Sequence, residues 1–150
     1  MRARGPDRLT ALAALLCLAG LGVAGYLTYV HYAGIDPACT TGGCERVQSS
    51  RYAELGGAPV ALLGLIGYAA IGASLLVRGD GGRALTAALA IAGFGFSAYL
   101  TYLELAVIDA ICQWCVASAA LMTALAAVAV VRLLRGPGAA TAIEGKKSGT

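Results

Sequence analysis

Charge is scarce in this chain, and so are the side chains that carry soft metals. Only 13% of its 150 residues are Asp, Glu, Lys or Arg, against 59% hydrophobic, which is too apolar for an ordinary soluble surface. A single histidine and two methionines provide no His-rich or Met-rich path for Zn²⁺ or Cu(I). The second and third apolar runs contain no charged residue to line an ion route. The net charge of +3 is small and needs no nucleic-acid partner.

The few charges divide the sequence into segments. The charge-free runs are Leu9–Val30, Ala58–Val77, Ala84–Leu103 and Ala110–Val131. About 20 residues at 1.5 Å per residue cross a hydrocarbon core of roughly 30 Å. These runs predict an all-α membrane protein, a four-transmembrane-helix bundle occupying residues 1–135. The polar, Gly-rich stretch 136–150 is expected to be a disordered cytoplasmic tail. The basic start followed by an apolar run resembles a secretory signal. However, the run exceeds a typical signal core, and Leu15-Leu16 before Cys17 is a poor lipoprotein cleavage context. It is therefore read as the first span.

The basic residues orient the bundle. Arg2, Arg4 and Arg8 precede the first run, Arg78 and Arg83 flank the turn between the second and third, and Arg132, Arg135, Lys146 and Lys147 follow the fourth. Only Arg46 and Arg51 lie on the other side. By the positive-inside rule both termini are cytoplasmic. Gly79 to Gly82, around Asp80, predicts a tight cytoplasmic turn. Cys39 and Cys44, and the later Cys112-Gln113-Trp114-Cys115, then share the opposite face, the periplasm or the outside, where disulfides persist.

The chain also repeats itself. Tyr26–Cys39 reads YLTYVHYAGIDPAC and Tyr99–Cys112 reads YLTYLELAVIDAIC. Eight identities at a constant offset indicate duplication rather than shared composition. Each unit is a span end, a short outer connection and a cysteine, in a parallel repeat. Tyr26, Tyr29, Tyr32, Tyr99 and Tyr102 read as interface anchors. Glycines within the runs read as close-packing positions. A C-x-x-C at a helix start favours the thiolate, and a second pair on that face gives it an exchange partner. The pattern is that of a membrane redox relay. Because the last run heads inward, Cys115 lies about one turn, roughly 5 Å, deeper than Cys112. Cys17, alone in mid-run, reads as a small packing residue, His31 as interfacial ahead of a proton donor, and Glu104 and Asp109, which flank the second outer turn, as solvated loop charges ahead of groups that bias protonation near the site.

In its loop pair Cys39/Cys44, the stretch Val47-Gln48-Ser49-Ser50-Arg51-Tyr52, the Ala58-Pro59-Val60 start of the second run and the final Cys112-Gln113-Trp114-Cys115, the sequence resembles the vitamin K epoxide reductase family in its bacterial form. The resemblance covers about residues 9–134. It implies a four-helix bundle around a quinone, in the bacterial inner (cytoplasmic) membrane. It further implies a membrane thiol:quinone oxidoreductase that reoxidises a separate periplasmic thioredoxin-like, DsbA-like partner. By position, Cys39 looks like the outer shuttle cysteine, Cys44 the one that attacks Cys112, and Cys115 the one that reacts with the quinone. Ser50 resembles the family serine at the quinone site, with capping of a short loop helix as its plainer role. Trp114 reads as an interface anchor and as a wall of the quinone site. Arg51 and Tyr52 read as seating the loop on the membrane surface.

The departures matter as well. Animal members carry Thr-Tyr-Ala after the C-x-x-C and hold the vitamin with an asparagine. Here Val116-Ala117-Ser118-Ala119 follows, and the chain has no asparagine, so a plain quinone is expected rather than an epoxide. Ala-, Arg- and Gly-rich usage points to a GC-rich bacterial source, and so to menaquinone ahead of ubiquinone. A thioredoxin-like domain is not expected within these residues, hence the separate partner. Two alternatives remain. A DsbB-type oxidase would run the same reaction, but places its C-x-x-C in the first outer loop. A soft-metal-binding membrane protein would use the four cysteines as ligands.

Overall fold

The computed structural model describes residues 7–136. Helix α1 spans Arg8–Ala33 and stops at Gly34, whose left-handed backbone (φ 66°) lets its N–H return to the Val30 and His31 carbonyls. A loop leads to the short helix α2, Cys44–Gln48, and a single 3-10 turn, Arg51–Ala53. Strands β1 (Glu54–Leu55) and β2 (Ala58–Pro59) pair antiparallel around Gly56-Gly57, both at positive φ, as a tight hairpin turn requires. Helices α3 (Val60–Ser74), α4 (Asp80–Leu103) and α5 (Gln113–Leu134) follow. A π turn, Glu104–Ile108, prolongs α4.

Helix α1 packs against α3 and α5, and α4 packs against α5 and α3. The seam is built from Ala13, Cys17, Ala24, Ala87, Ala90, Ala126 and Ala129, around Tyr68, Ile71, Met122 and Leu125. Small side chains let apolar helices approach closely where no water is available to drive burial. The larger apolar residues point outward: Leu12, Leu15, Leu18, Ile66 and Ile91 are exposed. A soluble protein would not carry so much exposed apolar area; a bundle in lipid would. Between α3 and α4, the buried hydroxyls of Ser74 and Thr86 lie 2.7 Å apart, and Thr86 also donates to the Gly82 carbonyl at 2.9 Å.

Helices α1, α4 with its π turn, and α5 are each long and apolar enough to cross a membrane. The second predicted run differs. Only 15 of its residues form α3, about 22 Å of helix. Ala58 and Pro59 are taken by the hairpin, and the end tightens through bonds from Leu76 to Ala73 and Val77 to Ser74. The predicted Gly79–Gly82 turn is also displaced. The chain turns over Leu75–Gly79, and Asp80 already opens α4. Gly82 sits directly against the Val77 carbonyl, where a Cβ would not fit. The fourth helix begins at Gln113, because Cys112 is extended (φ −93°, ψ 113°) and caps it.

Arg8, Arg83, Arg132 and Arg135 line one pocket with Asp7, and Arg132 Nε donates to Thr10 Oγ1 at 3.2 Å. The start of α1 and the end of α5 therefore meet at one end of the bundle, and both repeat units end at the other. The expected tail lies outside the described residues beyond Gly136, as do Arg2, Arg4, Lys146 and Lys147.

A Cβ at Gly20 would overlap the Tyr68 ring. Tyr68 is 1% exposed, and its hydroxyl is tied to the Ser118 carbonyl at 2.8 Å, so the ring has little room to move. Gly20→Val should cost about 1–3 kcal/mol, read as a lower Tm in detergent. Gly22→Ala, which meets open space, should leave Tm unchanged or raise it.

Candidate active site

The loop after α1 is held down by the two residues inside the C-x-x-C. Gln113 Oε1 accepts from Thr40 N–H (3.1 Å) and Thr40 Oγ1 (2.6 Å), and its amide donates to the Ala38 carbonyl (3.4 Å). Trp114 Nε1 donates to the same carbonyl at 2.6 Å. Tyr26 accepts from Ala38 N–H at 2.9 Å and packs on Trp114 with ring centroids 5.0 Å apart. Thr41 Oγ1 donates to the Ile111 carbonyl at 3.2 Å. Gly43 lies so close to the Ile111 backbone that a Cβ would collide with it.

This clamp gathers all four predicted cysteines. Cys39 and Cys44 form a disulfide, while Cys112 and Cys115 are free thiols. Cys44 and Cys112 are fully buried in one cluster with Val47, and Cys39 and Cys115 pack against it. Cys39 is half-buried. Cys17 is buried among the helices in a different cluster, as expected of a packing residue.

Cys112 caps α5, its sulfur accepting from the Cys115 N–H at 3.4 Å. Its thiol is held below the ordinary cysteine range, first by the Cys115 side chain and then by backbone N–H groups of Cys115 and Trp114. Burial and the Glu104 charge act in the opposite direction. The helix start thus favours a thiolate.

Glu104 corrects the expectation of a solvated loop charge: it is 5% exposed, and its Oε2 accepts from the Cys112 N–H at 3.2 Å. The π turn is the local cause. It leaves Leu105 and Val107 exposed and passes through Asp109 at φ 53°, bringing the chain back so that Cys112 meets Glu104. Asp109 itself is exposed, as expected.

A cavity of about 150 Å³ lies inside the bundle below this cluster, far more than the roughly 10–15 Å³ that one water needs. Its walls are mainly apolar, including Leu27, Leu63, Phe96, Leu100 and Met122. Of the cysteines, only Cys115 lines it. Gln48, whose amide lies 3.7 Å from the Cys115 sulfur, and Ser50 also line it. The Ser50 hydroxyl donates to the Val47 carbonyl at 2.7 Å and makes no cap bond to the 3-10 turn that follows it, so its proton is already engaged. Trp114 is not among the lining residues; its indole is committed to the loop clamp. An apolar slot with amide and hydroxyl groups at the rim and a thiol in the wall suits a flat, lipid-soluble ring carrying carbonyls.

The sequence reading gave Gln48 no role of its own within the matching stretch, and ranked Glu104 as a solvated charge ahead of one that biases protonation. The signal for Glu104 was that it ends the charge-free run Ala84–Leu103 eight residues before Cys112; for Gln48 it was only its place in the stretch beside Ser50. His31 Nε2 lies 3.3 Å from Glu54 Oε1, joining the end of α1 to the hairpin. Tyr29, Tyr32, Tyr99 and Tyr102 are exposed at the cysteine end, whereas Tyr26 belongs to the clamp. Among the described residues, no three His, Cys, Asp or Glu side chains converge as a metal site.

The family model of the vitamin K epoxide reductase family matches residues 11–130. The chain belongs to that family, and is therefore a membrane protein of an oxidoreductase family whose enzymes use quinones.

With Cys39–Cys44 oxidised and the other pair reduced, thiolate absorbance near 240 nm should develop below the ordinary thiol pKa of about 8.5. Cys112→Ser should remove that step. Cys115→Ala, which deletes its largest cause, should move it to higher pH.

Proposed function

We propose that this family member is a membrane thiol:quinone oxidoreductase that reoxidises a separate DsbA-like, thioredoxin-like protein and so supports disulfide formation in exported proteins. One observation carries the reading. Along the cysteine cluster, exposure falls from half-buried Cys39 to buried Cys44 and Cys112, and only Cys115 opens onto the apolar cavity. An exchange relay between an aqueous partner and a lipid-soluble acceptor needs that order.

The partner's thiolate attacks Cys39, the Cys39–Cys44 bond breaks and the Cys44 thiolate leaves. A second partner thiolate attacks the mixed disulfide, releasing Cys39 and an oxidised partner. Cys44 then attacks Cys112 of an oxidised Cys112–Cys115 pair, and Cys39 resolves the result by restoring Cys39–Cys44. This leaves two thiols at Cys112 and Cys115. A bound quinone, menaquinone or ubiquinone, supplies a two-electron, two-proton acceptor. Cys115 faces it, the Gln48 amide orients a carbonyl, Ser50 lines the site and could donate only by giving up its bond to Val47, and the Cys112 thiolate closes the bond to Cys115 as the electrons leave.

In this reading the arginine end is cytoplasmic, and the cysteine end faces the periplasm or outside of a bacterial inner membrane. Helix α3, extended by its hairpin and turn, completes a fourth crossing.

The test is anaerobic quinol formation by the purified protein, given a reduced thioredoxin-like protein and menaquinone or ubiquinone. Quinol should appear in step with partner disulfide. Cys112→Ser and Cys115→Ser should each abolish it, while Cys17→Ser should stay near wild type. Activity in either of the first two variants would end the relay as drawn.

A further inference from the structure

Glu104 is the one buried carboxyl among the described residues, and the relay above does not use it. It lines two separate spaces. One is the inner cavity shared with Cys115. The other is an outward pocket formed with Thr41, Gly43, Arg46, Asp109 and Ile111. Its Oε2 already holds the Cys112 N–H, and its carboxyl and the Cys115 thiol line the same inner cavity. The charged and titratable groups around it are Tyr52, Tyr68 and Cys115 on the inner side, Arg46 and Asp109 on the outer side, and Cys112 between them. No ion pair to Glu104 forms among the described residues. A buried carboxyl with a thiol on one side and an outward pocket on the other is arranged for proton exchange rather than for structural charge pairing.

We propose that Glu104 is the proton-transfer residue of the Cys112/Cys115 pair, passing protons between the Cys115 thiol, the inner cavity and the outer pocket. The inference rests on the quinone reading above. The carboxylate removes the Cys115 proton: an S–H bond breaks and an O–H bond forms. Cys112, in its thiolate form, bonds to Cys115 as two electrons leave for the quinone. Glu104 releases its proton to one quinone oxygen and takes a second from the outer pocket for the other. One thiol, one thiolate, one proton from outside and one quinone become one disulfide and one quinol, with charge conserved.

Glu104→Gln separates this role from a structural one, because the amide oxygen still accepts from the Cys112 N–H. Two measurements are needed on the full-length protein with Cys112 and Cys115 reduced. In the absence of quinone, the Cys112 thiolate step at 240 nm should move to lower pH in Glu104→Gln, because the opposing negative charge is gone. In single turnover with a short-chain menaquinone, thiol loss and quinol formation should slow by about 10²-fold and keep only the pH dependence of the Cys112 thiolate step. Glu104→Asp should restore part of the rate. An unmoved thiolate step would overturn the proposal, as would turnover close to wild type at every pH. If the wild type itself forms no quinol, the oxidoreductase reading fails, and the thiolate step alone then decides whether Glu104 is coupled to the pair.

Discussion

The hold of Gln113 and Trp114 on the loop at Ala38 and Thr40 is the interaction on which the site depends. A loop closed by a five-residue disulfide spacing has no intrinsic reason to rest on the start of another helix. Here one carbonyl, Ala38, receives both the Trp114 indole and the Gln113 amide, while Thr40 returns two bonds to Gln113. Each bond is worth about 1 kcal/mol net, but together they fix the direction of the loop. The residues between the two cysteines of the C-x-x-C thus serve the other pair. The motif positions its own thiols by its place at a helix start, and positions Cys39 and Cys44 through its intervening side chains.

The bundle makes the second contribution. Alanine and glycine seams bring the helices close, and the same economy of side chain leaves a cavity whose lining includes Gly64, Gly67, Gly93 and Ala119. Packing and ligand space are therefore two consequences of one composition. Tyr68 sits at their boundary, filling the space over Gly20 and bonding to Ser118, so that one side chain both closes the core and lines the cavity.

Much of this was legible in the sequence, for identifiable reasons. Scarce charge marks apolar helices because a charged side chain in hydrocarbon is costly, and the positions of Arg8, Arg83, Arg132 and Arg135 gave an end of the bundle that the structure brings together. The C-x-x-C at a helix start was legible because capping is local. What was not legible was long-range or conformational. Hydropathy does not register that Pro59 enters a strand pair rather than a helix, so α3 was drawn too long. Glu104 looked solvated because its partner, the Cys112 N–H, is reached only through a π turn that no propensity announces. Trp114 was given to the membrane interface and a quinone wall because its acceptor, Ala38, lies 76 positions away in the chain. The direction of the Ser50 hydrogen bond depends on the end of α2, which a motif does not encode.

The reduced pair in the structure fits this arrangement chemically. A thiolate at Cys112 is favoured by the helix start and by its neighbours' N–H groups, but opposed by burial and by Glu104. If only the favourable contributions were present, the reduced pair would be strongly stabilised and its oxidation harder, since stabilising the reduced form makes a disulfide more oxidising. Under the proposed function, a pair that hands electrons onward to a quinone needs the opposite bias. A buried carboxyl facing the thiols opposes excessive thiolate stabilisation while also providing a base. On the proposed reading, burying an acid here, despite the cost of its desolvation, has a physical return: the same negative charge that opposes a thiolate at Cys112 makes the pair readier to give up its electrons.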